Sequence, residues 1–220
     1  MSQVLEYLPF ILGGLPYTIG ISLASMVAAA VVGLTVGLLR ASPHRSRWFP
    51  ALAFIEFVRG TSEVVQFYWI FFAFPVLLMI RIDPLTAAVV VIGMVQGAYV
   101  AEVVRGALLA IPKPQREATI ALNYGRFDAM RYVIFPQAFA TMLPSLGNIA
   151  VDIVKNTSIV SLVTVADLTF RVQSVRAQTG HSYLLYGLLM LIYLAIAAVI
   201  GWVFRRLENR LPAGLRVKAG

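Results

Sequence analysis

The chain carries few residues suited to catalysis. Its two histidines, His44 and His181, are too far apart in sequence to suggest a shared metal, and cysteine is absent, which excludes thiol nucleophiles, disulfides and cysteine-ligated metal centres together. No stretch follows Gly-x-x-x-x-Gly-Lys-Ser/Thr, so the familiar cradle for nucleotide phosphates is missing. The apolar segments contain neither a His-acid cluster nor paired carboxylates, the groups an intramembrane enzyme would need to converge. No catalytic residue and no metal ligand is therefore expected. What remains are polar groups at or near membrane depth: Gln66, Gln96, Tyr99 and Asn148, which either line a solute pathway or bond neighbouring helices. Two pairs of opposite charge join them. Glu102 and Arg105 share a helix face and form either an ion pair or a gate; Asp152 and Lys155 suit an ion pair or the two ends of a zwitterionic solute.

The elements that must hold these residues follow from composition. Of 220 residues, 60% are hydrophobic and only 13% charged, with a mean hydropathy of +0.82. A soluble domain averages about 45 to 50% apolar and about 25% charged, so the chain belongs in a bilayer. A hydrocarbon core of about 30 Å needs about 20 apolar helical residues. Stretches poor in charge place five transmembrane helices at about 15–39, 64–80, 84–101, 132–151 and 181–204, within one all-α integral membrane domain, 1–220. Lys and Arg cluster on one side of that map: Arg40, Arg45, Arg47 and Arg59 after the first span, Arg105 to Arg131 after the third, and Arg205, Arg206, Arg210, Arg216 and Lys218 after the fifth. By the positive-inside rule the N-terminus is outside and the C-terminus cytoplasmic. The net charge of +8 is thereby explained without nucleic acid. Segment 157–168 is expected to be a helix that either caps the bundle or re-enters it.

The long cytoplasmic loop, 105–131, reads as structured. Ile111-Pro112-Lys113-Pro114 stops the preceding helix, Pro114 opens a new one, Asn123 ends it in the left-handed conformation, and Gly125 caps a second. A compact helix-turn-helix results. Glu117-Ala118-Thr119, Asn123 six places after the glutamate, and Val133-Ile134-Phe135-Pro136 resemble the Glu-Ala-Ala motif of bacterial ABC-importer permeases. Further stretches are similar to the polar amino-acid permease branch of that family: Arg59-Gly60-Thr61, Gly97 to Gly106, Pro136-Gln137-Ala138, Leu143-Pro144 with Asn148, and Lys155-Asn156-Thr157-Ser158. Thr119 stands where alanine is usual, Asn123 where glycine is, Pro114 where a Gly-Gln pair begins, and Ser62 where proline commonly follows. The runs 120–123 and 165–170, with the Thr-Ser pair, resemble permeases for ectoine-type compatible solutes.

The resemblance implies a transmembrane subunit of an ATP-driven importer in the bacterial inner membrane, carrying a polar or zwitterionic amino acid or a related compatible solute. It implies a second permease chain, a dimer of ABC ATPase subunits that use ATP and Mg, an external solute-binding protein and the surrounding lipid. No cofactor is expected on this chain, and hydrolysis is expected in the partner. Pro114, Glu117, Ala118, Thr119, Asn123 and Gly125 would couple to the ATPase; Gln66, Gln96, Tyr99, Glu102, Asn148, Asp152 and Lys155 are the pathway or gate candidates. The rival reading is a self-powered secondary transporter, which would carry intramembrane ionisable groups and broken helices. The sequence shows neither.

Overall fold

The computed structural model describes residues 6–211, and all regular secondary structure among them is helical. Helix α1 (Leu8–Leu12) turns at Gly13 and Gly14 into α2 (Leu15–Arg40). There follow α3 (Arg45–Gly60), α4 (Glu63–Leu78), α5 (Pro84–Ala110), α6 (Lys113–Ala121), α7 (Arg126–Val163), α8 (Leu168–Thr179) and α9 (Ser182–Asn209). Four stretches are long and apolar enough to cross a membrane: α1 with α2, α5, α7 and α9. The bent pair α3 and α4 makes a fifth when counted as one span. The termini that carry Arg216 and Lys218 in the orientation argument lie outside the described residues.

A seam of small residues joins α2 to α5. Ser22, Ser25, Ala29, Gly33 and Gly37 recur at three- and four-residue intervals on α2 and are buried there; Gly93, Gly97 and Ala101 do the same on α5. Lipid tails are as apolar as leucine, so helices in a bilayer associate through close van der Waals contact, which small residues permit. The fit leaves no slack. A Cβ at Gly33 would overlap Val100, one at Gly37 would sit 2.8 Å from the Ala101 carbonyl oxygen, and one at Gly97 2.7 Å from Val32 Cβ. The outer face of α2 keeps Leu23, Val27 and Val31 exposed, as a lipid-facing helix requires.

Proline explains two local irregularities. In α4 the turn Trp69–Ala73 is π-helical, and in α7 so is Ala129–Ile134; each ends just before a proline, Pro75 or Pro136. A proline ring crowds the carbonyl four residues back and offers no amide. Widening the helix answers both: Phe74 donates to the Trp69 carbonyl and Phe135 to Met130, five residues back.

A helix occupies the span expected at 64–80, but it is the second arm of a bent pair. The chain bends by 102° between α3 and α4, with Thr61 and Ser62 extended. The basic stretch after α2 is thus mostly a helix, not a loop, and Arg59 sits at the break instead of among surface charges. Extension at Ser62 takes away the amide that would serve the Val58 carbonyl, and Gln66 Nε2 replaces it at 2.8 Å while also donating to Thr61 Oγ1 at 2.6 Å. A broken span with ionisable flanks is present after all. Helix α5 also runs to Ala110, nine residues past the expected end, so the connector to α6 is short.

Segment 157–168 is not one helix. A 3-10 turn, Thr157–Val163, completes α7, Thr164 turns left-handed at φ 62°, and α8 begins at Leu168. Helix α8 packs on α1 and α9 through Ile11, Leu168, Val172, Val175 and Leu185, closing that end of the bundle. The joint is tight: a Cβ at Gly14 would lie 2.6 Å from the Leu168 nitrogen, Thr18 Oγ1 accepts the Leu168 amide at 3.3 Å, and Arg171 donates to the Phe10 carbonyl at 2.8 Å while stacking on its ring. Asp167 caps α8 by accepting from the Phe170 amide at 2.8 Å. Burial pushes its carboxyl up to about 6, against amide and hydroxyl donors from Phe170, Thr169 and Tyr193 that pull it down.

Two outcomes follow from this packing. Gly33→Leu is expected to abolish a folded, extractable protein, whereas Gly20→Ala, where a Cβ meets nothing within 4 Å, leaves it intact; size-exclusion profiles in detergent read the difference. For Asp167 the folded pKa lies above the ordinary 3.8, so the stability it contributes is full below 3.8 and is lost as pH rises through about 6. The apparent unfolding midpoint should therefore fall relative to Asp167→Asn between pH 4 and 7, by up to about 3 kcal/mol in equivalent stability. A constant difference between the two proteins over that range contradicts the assignment.

Candidate functional site

Where α3 breaks into α4, the backbone opens onto a cavity of about 350 Å³ walled by α5 and α7. The break supplies Arg59, Thr61 and Glu63, α5 supplies Gln96 and Tyr99, and α7 supplies Asp152 and Asn156. The Arg59 guanidinium stacks 4.9 Å from the centre of the Tyr99 ring, which holds a cation against the cavity wall. Across from it, Glu63 Oε2 accepts from Asn156 Nδ2 at 2.7 Å, and Glu63 Oε1 is buried with no hydrogen-bond partner among the described residues. Cation and carboxylates thus face one space. That arrangement suits a small solute bearing both charges, because each end finds its complement without leaving a buried charge alone.

The sequence-level candidates divide. Gln96, Tyr99 and Asp152 come together in this cavity. Gln66 does not line it: its amide is committed to the α3/α4 break. Glu102 pairs with Arg105 at 2.8 Å outside the cavity. Lys155 pairs with Asp152 at 3.1 Å but opens on another cleft, with Thr169, Tyr186 and Tyr193. Asn148 lies beside Arg205 and Glu208 in a third. It belongs instead to a stripe along α7, where Thr141, Ser145, Asn148 and Asp152 are all exposed on a helix long enough to span a bilayer. Arg59 and Asn156 read in sequence as a topology charge and as parts of family stretches, not as pathway candidates, and Glu63 was not singled out. One signal for Glu63 was available: a carboxylate directly before an apolar run serves a helix N-terminus or, if buried, needs a polar partner.

At the far end of α5 the elbow to α6 holds the other candidate set. Pro114 sits in the first turn of α6, and Gly125 precedes α7 in extended conformation. Asn123 adopts φ 57°, and the Tyr124 amide reaches the Thr119 carbonyl while the Asn123 amide reaches Ile120, both at 2.9 Å, which is a Schellman closure. Thr119 is buried, its hydroxyl bonded to the Arg116 carbonyl. Glu117 and Ala118 are exposed, and so are Ile120, Leu122 and Phe127, at 75%, 70% and 72%. Exposed apolar surface of this extent on a polar helical turn is characteristic of interaction sites.

The described residues thus form a spanning bundle with a charged cavity at its break and an exposed apolar turn beyond the end of α5. The chain belongs to the family of binding-protein-dependent transport system inner membrane components, which matches residues 29–213. The glutamine transport system permease protein GlnP of Escherichia coli (strain K12) is 39% identical over 96% of this chain and 96% of its own length. The L-cystine transport system permease protein TcyB of Bacillus subtilis (strain 168) is 31% identical over 94% of this chain and 88% of its own. The crystal structure of an amino acid ABC transporter with histidines superposes with a TM-score of 0.87 at 30% identity, covering 96% of this chain and 98% of that one. An inward-facing MetNI methionine ABC transporter, 19% identical with a TM-score of 0.79 over 93% of this chain and 97% of that one, shares the fold. The described architecture is therefore that of an amino-acid ABC-importer permease subunit, a multi-pass inner-membrane component.

The left-handed turn makes a direct prediction. Asn123→Gly is expected to leave transport and assembly near wild type, since glycine adopts φ 57° without strain. Asn123→Val places a β-branched residue there at a cost of roughly 1–2 kcal/mol and should loosen the α6 turn. Hydrogen exchange of the Tyr124 amide distinguishes the two, and equal protection in both variants would contradict the closure.

Proposed function

We propose that the solute is a polar amino acid in its zwitterionic form, and that the cavity at the α3/α4 break is a station on its path. The observation that carries this is that Arg59, held on Tyr99, lines one cavity with the carboxylates of Glu63 and Asp152, the latter also paired with Lys155. A carboxylate end meets the guanidinium, an ammonium end meets the acids, and the side chain extends toward the α7 stripe. Relatives named for glutamine, L-cystine and arginine transport agree with that class. Ectoine, to which the loop resemblance points, is also a zwitterion and belongs in the test panel.

The complete machine has two permease chains, two ATPase subunits on the α6 elbow and an external binding protein that delivers solute. Orientation follows the basic residues Arg40, Arg45 and Arg47 after α2 and Arg205 and Arg206 at the end of α9, which place the elbow and the C-terminus in the cytoplasm and the N-terminus outside. Pro114, Glu117, Ala118, Thr119, Asn123 and Gly125 form the docking element, with Ile120, Leu122 and Phe127 as its apolar contact. ATP and Mg act in the partner. Closure of the ATPase dimer then tilts the elbow and switches the bundle between two discrete packings.

Proteoliposomes containing this chain, its partner permease, ATPase and binding protein test the reading with a labelled panel of glutamine, other polar amino acids and ectoine. Uptake should require ATP inside and the binding protein outside, and Glu63→Gln should raise the half-saturating solute concentration by about tenfold, the scale of one lost charge-assisted bond, with assembly unchanged. Uptake by the chain alone under an ion gradient would overturn the proposal. Preference for uncharged sugars would overturn the zwitterion class.

A further inference from the structure

Arg116 lies in the elbow between two of the docking residues and has a task of its own. In an α-helix the carbonyl of each residue accepts from the amide four residues on. For Leu108, near the end of α5, that amide would come from Pro112, and for Ala110 from Pro114; proline has none to give. Ile111 and Pro112 leave the helix in extended conformation, so the carbonyl end of α5 is open where the chain turns. Arg116 reaches back eight residues and donates from Nη2 to the Leu108 carbonyl. One guanidinium thus replaces the missing amide and sets a positive charge against the negative end of the α5 dipole. Helix α6 has a weaker second tie, from Gln137 Nε2 on α7 to Gln115 Oε1 at 3.4 Å.

We propose that Arg116 is the positioning residue that locks the elbow, so that α6 and α5 turn as one lever when the ATPase moves. The proposal rests on the reading of this elbow as the docking element. With the bond made, a push on α6 rotates α5, which carries Gln96 and Tyr99 at the cavity and cannot slip against α2 because of the glycine seam. With the bond absent, the extended Ile111-Pro112 stretch is a free hinge. ATP is then hydrolysed while the cavity wall stays still.

The test uses the complete transporter in proteoliposomes, measuring ATPase copurification, ATP hydrolysis and solute moved per ATP in parallel. Arg116→Ala should keep the ATPase bound and hydrolysing but lower the solute moved per ATP by about tenfold, the scale of one charge-assisted hydrogen bond. Arg116→Lys, which keeps the charge and a donor, should restore most of that ratio, and Arg116→Gln, which keeps only a donor, should fall between. An unchanged ratio in Arg116→Ala overturns the lock. Loss of folded protein in the alanine, glutamine and lysine variants alike also overturns it, since that marks a purely structural contact. Glu117→Arg is the separate control: if it leaves ATPase binding intact, the docking role of the elbow fails, whatever the Arg116 ratios show.

Discussion

The approach of α2 to α5 along Gly33, Gly37, Gly93 and Gly97 is the contact on which the other arrangements depend. Two backbones brought that close exclude both lipid and side chains, and the pair moves as one slab because any sliding drives a Cα into Val32, Val100 or Val104. Helix α5 is buried along most of its length by this contact and by α7. Its remaining face carries Gln96 and Tyr99 toward the cavity. The seam therefore decides which side of α5 is rigid apolar wall and which side is free for polar work.

Around that slab, the chain breaks its helices at chosen points and covers each break with a side chain. An opened buried carbonyl needs a substitute donor, above all within a bilayer, which supplies no water. Gln66 serves Val58 at the α3/α4 bend, and Arg116 serves Leu108 at the elbow. The π-helical turns before Pro75 and Pro136 solve the same problem within the backbone. At both side-chain-covered breaks the angle between two helices rests on one or two hydrogen bonds. One of these breaks holds the cavity, and the other carries the exposed apolar turn of Ile120, Leu122 and Phe127.

Much of this was legible in the sequence, for reasons that differ by residue. Spans near 15–39 and 181–204 are uninterrupted apolar runs, and length alone finds them. Asn123 was legible because so few residues tolerate a left-handed turn, and the two prolines at 112 and 114 because their effect is local. Gly33, Gly37 and Gly93 stand in apolar spans, where glycine permits close helix contact, but nothing in the sequence names their partners. What could not be read is any property that depends on a bend. Arg59 looks like a topology charge until the chain turns by 102° and carries it to Tyr99, and Gln66 looks like a pathway residue until the same turn opens a carbonyl beside it. Asn148 shares a face of α7 with Asp152 but opens beside Arg205 and Glu208 and not into the cavity, a placement that only the packed helices show.

The proposed solute path runs along the polar stripe of α7 and the cavity beside it. The chain has no cysteine of its own, so each single substitution is the one thiol this chain contributes. The most direct measurement is the reaction of Thr141→Cys, Ser145→Cys and Asn148→Cys with a water-soluble thiol reagent in the assembled transporter, set against Leu23→Cys, Val27→Cys and Val31→Cys on the outer face of α2. The account predicts that the three α7 positions react, are slowed by transported solute, and that the α2 positions stay unreactive. Equal reactivity on both helices, or none on α7 in any nucleotide state, would contradict it.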